Sequence, residues 1–184
     1  MLFRSSGGTT PYTGTGSFTR SSGSYSYTVT DANGCTSSTS GTITQPAVLS
    51  ASSSAGTISC NGGTTSLTVS ATGGTTPYTG TGSFTRSAGS YSYTVTDANG
   101  CTSVTSGTIT QPTVLSASSS AGTISCNGGT AAVTVSASGG TTPYTGTGSF
   151  TRSAGSYSYT VTDANGCTSV TAGTITQPTV LSAS

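Results

Sequence analysis

One spacing constrains this chain more than any other feature, because the same marks return every 66 residues. Cys35, Cys101 and Cys167 are 66 apart, and so are Cys60 and Cys126. Pro46, Pro112 and Pro178 keep the step, as do Pro11, Pro77 and Pro143, Arg20, Arg86 and Arg152, and Asp31, Asp97 and Asp163. The sequence therefore divides into a partial unit over 1–46, a full unit over 47–112, a second over 113–178, and the opening of another over 179–184. Residues 1–6 of the partial unit fall outside the repeat, and the rest matches the second half of a full unit. A 66-residue unit is too long for one solenoid coil and suits a minimal sandwich domain, so beads on a string are expected. Two explanations of the incomplete ends stay open. Either the chain is an excerpt from a longer array, or neighbouring chains complete the ends.

Within a unit, alternation and turn chemistry predict strands only. An opening strand is expected in two pieces, Val48–Ser53 and Thr57–Cys60, broken by Ser54-Ala55-Gly56. Asn61-Gly62-Gly63 reads as a turn. Ser66–Thr72 then places Leu67, Val69 and Ala71 on one face and Thr68 and Ser70 on the other. After the break at Gly73–Pro77, Tyr78–Arg86 reads as a strand, and Ser90–Thr96 aligns Tyr91, Tyr93 and Val95. Asp97-Ala98-Asn99-Gly100 is a tight turn, and Thr102–Gln111 closes the unit. No window has helical periodicity. The expected fold class is all-β, with tandem small Ig-like β-sandwich domains forming an elongated array or fibril.

Composition narrows the function. The 184 residues carry four Lys+Arg, three Asp+Glu and no His, whereas Ser and Thr number 80. Nucleic-acid binding needs a basic stripe, and four scattered arginines do not make one. General acid–base chemistry needs a His or a carboxylate pair, and neither is present, so no enzyme and no cofactor is expected. A disordered chain usually has high net charge and few β-branched or aromatic residues, unlike this one at +1. No run approaches the roughly 18 apolar residues of a membrane span, and Met1–Gly7 has no stretch suited to a signal peptide.

Each unit offers about a dozen large apolar residues, among them Leu49, Ile58, Leu67, Val69, Tyr78, Phe84, Val95 and Ile109, a thin core that calls for a staple. Two Cys per unit with no His nearby point to disulfides in a secreted protein rather than zinc. One pairing joins Cys60 to Cys101 and Cys126 to Cys167 within units, leaving Cys35 unpaired. The other joins Cys35 to Cys60 and Cys101 to Cys126 between units, leaving Cys167 over. An intra-unit bridge is worth about 3–4 kcal/mol by loop closure.

The ordered elements ISCNGG, ATGGTTPYTG, AGSYSYTVTDANGCT and TITQPTVLSAS resemble the SprB-type repeat of Bacteroidota surface proteins. The resemblance covers nearly the whole chain from Gly7 onward. The usual repeat has a longer central section with a Trp, replaced here by the short stretch at 78–85. The resemblance implies cell-surface or secreted adhesins and carries no catalytic residues.

The remaining features have plain structural readings beside functional ones. The Asp97 turn, with copies at 31–34 and 163–166, has one carboxylate where calcium wants several oxygens. Arg86 and Asp97 suit a structural ion pair or, for Arg86, a solvated charge or an anion site. Tyr91 and Tyr93 suit core packing or a carbohydrate platform. Asn61-Gly62-Gly63 is no phosphate loop, since neither helix nor Lys follows. Thr68, Ser70, Thr79, Thr81, Thr94 and Thr96 form hydroxyl faces opposite the apolar ones, candidates for O-linked glycans on a surface with almost no charge. Regular Thr arrays also suggest ice binding, which needs a flatness that a twisted sandwich lacks. The expected function is an extracellular stalk, fibril or surface filament that associates with other copies or repeats of itself. Its Gln-Pro joints, at Gln45-Pro46, Gln111-Pro112 and Gln177-Pro178, would be stiffened by proline. The alternative is an adhesin module that binds a carbohydrate or partner.

Overall fold

The computed structural model describes residues 2–183, with Leu2 and Phe3 as backbone only. All regular structure among them is β. The partial unit carries β1 (Leu2–Phe3), β2 (Gly16–Ser17), β3 (Gly23–Thr30) and β4 (Thr36–Ile43). The first full unit carries β5 (Ser50–Ala55), β6 (Thr64–Thr72), β7 (Gly82–Ser87), β8 (Gly89–Thr96) and β9 (Thr102–Ile109). The second repeats them 66 positions on as β10 (Ser116–Ala121), β11 (Thr130–Ser138), β12 (Gly148–Ser153), β13 (Gly155–Thr162) and β14 (Thr168–Ile175).

Each full unit is a three-stranded antiparallel sheet, β5-β6-β7 or β10-β11-β12, and a hairpin, β8-β9 or β13-β14. The alternation in β6 does what period-two patterning demands, burying Leu67 and Val69 while exposing Thr68 and Ser70. Leu67 stands opposite Phe84 and Val69 opposite Gly82, which brings the apolar face of the sheet into line with the hairpin. Ile58, Leu67, Val69, Val95 and Ile109 form the buried cluster, with Tyr78, Phe84, Tyr91 and Tyr93 against it. Hydroxyls close the seam between β5 and the hairpin: Ser53 Oγ lies 2.8 Å from Thr105 Oγ1 and 3.1 Å from Tyr91 Oη. Gly107, opposite Tyr91, makes room for the phenol, because a Cβ there would stand 2.6 Å from the phenol oxygen and 2.9 Å from its ring carbon and would force the ring to shift.

Two expected strands are shorter than their patterns suggest. Residues 57–60 form a loop that still buries Ile58, and the Gly63 N–H donates to the Cys60 carbonyl to close its turn. At 78–81 only a single bridge forms, Thr79 to Thr96. Gly80, at φ +82°, passes so close to the Thr94 carbonyl that a Cβ there would collide with its oxygen, and the chain is diverted before β7 begins.

The partial unit keeps the hairpin β3-β4 but has only two-residue strands, β1 and β2, for a sheet. No residue described in it is classed as buried, and Val29 and Ile43 are half-exposed where their counterparts Val95 and Ile109 are buried.

Candidate functional site

The conspicuous chemistry lies at the joints. Where the chain leaves a full unit, at its downstream pole, the turn after the Ile58 loop grips the connector. Asn61 Nδ2 donates to the Pro112 carbonyl at 2.9 Å, and the Gly62 N–H donates to Gln111 Oε1 at 2.8 Å. The second unit repeats the clasp, with Asn127 on Pro178 and Gly128 on Gln177, both at 2.9 Å. The clasp supplies donors only, and the connector answers with acceptors, the prolyl carbonyls and the glutamine side-chain oxygens.

The upstream pole, where the chain enters, is organised by the aspartate turn. Asp97 Oδ1 accepts from the N–H groups of Asn99 (3.0 Å) and Cys101 (2.8 Å), and Oδ2 accepts from Thr75 N–H at 2.9 Å. Asn99 Nδ2 donates to Thr75 Oγ1 at 2.9 Å. Leu49 is buried against Gly74, whose N–H donates to the Ala47 carbonyl at 2.7 Å. The Thr75 N–H above all, with those of Cys101 and Asn99, holds the Asp97 carboxyl below its ordinary value against the opposing effect of burial. At Asp163 burial pushes upward most strongly, but the N–H groups of Thr141, Cys167, Asn165 and Gly166 together outweigh it. Thr9 and then Cys35 lower Asp31 in the same way.

The downstream pole of the first full unit meets the upstream pole of the second. A disulfide joins Cys60 to Cys167, with Cα atoms 5.7 Å apart and 107 residues between them in sequence. Beside it Asn165 Nδ2 donates to the Ser59 carbonyl at 3.0 Å. This differs from both pairings expected from sequence. Cys60 with Cys101 and Cys126 with Cys167 are not joined, because the two cysteines of a unit sit at opposite poles: Cys60 follows the Ile58 loop beside the exit clasp, and Cys101 lines a cleft with Pro46, Ala47 and Val48 at the entrance. Nor are Cys35 with Cys60 or Cys101 with Cys126. Cys35, Cys101 and Cys126 are free and exposed.

The other candidates resolve into local contacts. Asp97 is engaged by backbone donors and the exposed Arg86 lies over the Tyr93 ring at 5.9 Å, so of the readings offered for this pair the ion pair gives way to a turn hub and a cation–π contact. The three donors on its carboxylate make the Asp97 turn a structural hub. Tyr91 and Tyr93 are half-buried against the core, their centroids 6.3 Å apart. Thr68, Ser70, Thr79 and Thr94 are exposed, whereas Thr81 and Thr96 are half-buried. Asn61-Gly62-Gly63, read as a bare turn, is the clasp. The signal available in sequence was that an Asn-Gly-Gly and a Gln-Pro each return once per unit.

Fold and joint together define an all-β protein whose repeated pieces are disulfide-linked to one another, with no helix among the described residues long and apolar enough to cross a membrane. No family model and no curated protein matches the chain.

Proposed function

We propose that this is an extracellular structural protein, of SprB-repeat type, whose Ig-like β-sandwich units follow one another as a semi-rigid stalk, fibril or surface filament. The observation that carries the reading is the joint. A single-strand connector normally leaves neighbouring domains free to swing. Here the Asn61 clasp fixes the exit of the strand, Asn165 engages Ser59 across the gap, and the Cys60–Cys167 bridge adds a covalent tie. Near-identical units joined each time as the two full units are would repeat one rotation and translation, which is the construction rule of a thread. A disulfide of this kind persists in oxidising surroundings, which supports an extracellular setting. The exposed hydroxyls of Thr68, Ser70, Thr79 and Thr94 are the ones we propose for O-linked glycans, and an intact mass equal to the bare polypeptide in native material would end that idea. Glycan recognition by Tyr91 and Tyr93 has less support, since both rings lean on the core.

Small-angle scattering tests the reading. The oxidised chain should give an elongated particle with a narrow distribution of inter-unit distances. Replacing Cys60 and Cys167 by Ser should broaden that distribution while circular dichroism stays unchanged. A compact particle, or a distribution indifferent to the bridge, would overturn the rigid joint.

A further inference from the structure

We propose that the clasp carries a self-modification site at Asn61-Gly62, with a copy at Asn127-Gly128. When the clasp opens, the Gly62 backbone nitrogen closes on the Asn61 carboxamide and ammonia leaves. The aspartate or isoaspartate that results no longer holds the connector. The consequence for the joint rests on the filament reading and deepens it by naming how a joint is let go.

All five asparagines of the chain are followed by glycine. A glycine there leaves its backbone nitrogen unshielded by a Cβ and free to reach the preceding side chain, which makes Asn-Gly the dipeptide most prone to lose ammonia. The chemistry is thus the same at every copy, and the fold decides where it runs. In the clasp, the two nitrogens that would react are the two that bind. Asn61 Nδ2, the leaving group, donates to the Pro112 carbonyl at 2.9 Å, and the Gly62 nitrogen, the nucleophile, donates to Gln111 Oε1 at 2.8 Å. Clasp and reaction therefore exclude each other, and the reaction waits on opening. Asn127 and Gly128 are engaged in the same way by Pro178 and Gln177.

The aspartate hub holds the same dipeptide differently. Asn99 N–H donates to Asp97 Oδ1 at 3.0 Å, Asn99 Nδ2 to Thr75 Oγ1 at 2.9 Å, and Gly100 N–H to the Asp97 carbonyl at 3.0 Å. Asp97 is itself buried. Asn165 repeats these contacts on Asp163 and Thr141 and adds the Ser59 carbonyl across the joint. Access does not separate clasp from hub, since nothing lies within 4 Å of a Cβ placed on Gly62 or on Gly100. Fastening does. The hub nitrogens are tied inside one turn built on a buried carboxylate, whereas the clasp is tied to a connector 49 and 51 residues away, through one backbone carbonyl and one pliable glutamine side chain. A contact of that kind opens locally without unfolding its unit.

The step balances with water alone. The N–Cγ bond forms as the Gly62 nitrogen gives its proton to solvent, the Cγ–Nδ2 bond breaks, and Nδ2 takes up a proton and leaves as ammonia. Water then opens the cyclic imide at either carbonyl. The net change is carboxamide plus water to carboxylate plus ammonium. The product sets a carboxylate against the Pro112 carbonyl, so a donor–acceptor pair becomes two acceptors, and the connector loses its hold.

The test ages the full oxidised chain at neutral pH and follows each asparagine by peptide mass spectrometry, with enzymatic isoaspartate detection as a second readout. In the folded chain Asn61 and Asn127 should convert at least tenfold faster than Asn99 and Asn165, and in urea all four should convert at similar rates. Gln111→Ala, which removes the Gly62 acceptor, should speed Asn61 about fivefold, the worth of one hydrogen bond, and leave Asn127 unchanged. Where that variant also disturbs the fold, Asn99 speeds with it, and the order of sites in the unsubstituted chain decides. Asn61→Asp, which installs the product, should raise hydrogen exchange in the Gln111 peptide several-fold with circular dichroism unchanged. Hub asparagines converting first or together with the clasp, an Asn61 rate indifferent to Gln111→Ala in a folded variant, or unchanged exchange in Asn61→Asp would overturn the proposal. An elongated particle in scattering would then leave the filament reading standing, whereas a compact particle that still converts at Asn61 first would fail that reading and keep the site.

Discussion

Residues 8–46 and 74–112 differ at only two positions, Ser22 against Ala88 and Ser38 against Val104, yet one stretch keeps its valine and isoleucine half-exposed and the other closes a core. Their local structure is the same. Both make the aspartate hub, both bridge Thr13 to Thr30 or Thr79 to Thr96, and both place a phenylalanine on a tyrosine, at 4.6 Å for Phe18–Tyr27 and 4.5 Å for Phe84–Tyr93. Burial is what differs: Val95 is 0% exposed, whereas Val29 is half-buried. The hairpin is therefore encoded by short-range pairing and turn chemistry, and the core is supplied by residues 47–72, above all Leu49, Ile58, Leu67 and Val69.

The sharpest way to break this comparison is to remove the side chain that only the full unit has. Leu67→Ala should destabilise the first full unit by about 2–5 kcal/mol, because Leu67 is wholly enclosed. Val29→Ala should cost less than about 1 kcal/mol, its site being open already. Hydrogen exchange resolved by peptide separates the two, and equal effects would contradict the distinction. Next comes a glycine pair. Gly73→Ala would drive a Cβ into the Val48 carbonyl at φ +72° and should cost about 3 kcal/mol or more. At Gly7, φ +79° with nothing within 4 Å, only the backbone penalty of about 1 kcal/mol remains. Urea unfolding of each variant gives both numbers.

Acid should act on both regions alike, through the aspartate hubs. Each carboxyl is held below its ordinary 3.8, so its contribution is fully present above that value and fades as pH falls through the lowered one. The melting temperature should be flat from about pH 5 to 8 and fall below about pH 4. Asp97→Asn should remove most of that fall from the first full unit. Smallest of all are the arginines. Arg20 over Tyr27 at 5.6 Å and Arg86 over Tyr93 at 5.9 Å are exposed contacts, each worth about 0.5 kcal/mol in either unit, measurable by alanine substitution.

The strands were legible wherever alternation ran long enough, as in Ser66–Thr72 and Ser90–Thr96, because period-two burial writes itself into the residues. The loop at 57–60 was not, since an isolated Ile between Thr and Ser looks the same whether its backbone is paired or not. Cysteine pairing was illegible for a different reason. Spacing shows that Cys60 and Cys101 belong to one unit, but not that the Ile58 loop and the aspartate turn face opposite poles. The Asn61–Pro112 and Gly62–Gln111 contacts span about fifty residues, a distance over which local pattern says nothing.

The central claim is that units are tied pole to pole rather than stapled one by one. Cleavage of the oxidised chain after tyrosine, phenylalanine and leucine separates all five cysteines, so mass spectrometry of the unreduced digest reads the pairing directly. The expected spectrum of the monomer contains Ser50–Leu67 joined to Thr160–Leu181, with the Cys101 peptide carrying a free thiol. Cys60 joined to Cys101, accompanied by Cys126 joined to Cys167, would contradict it.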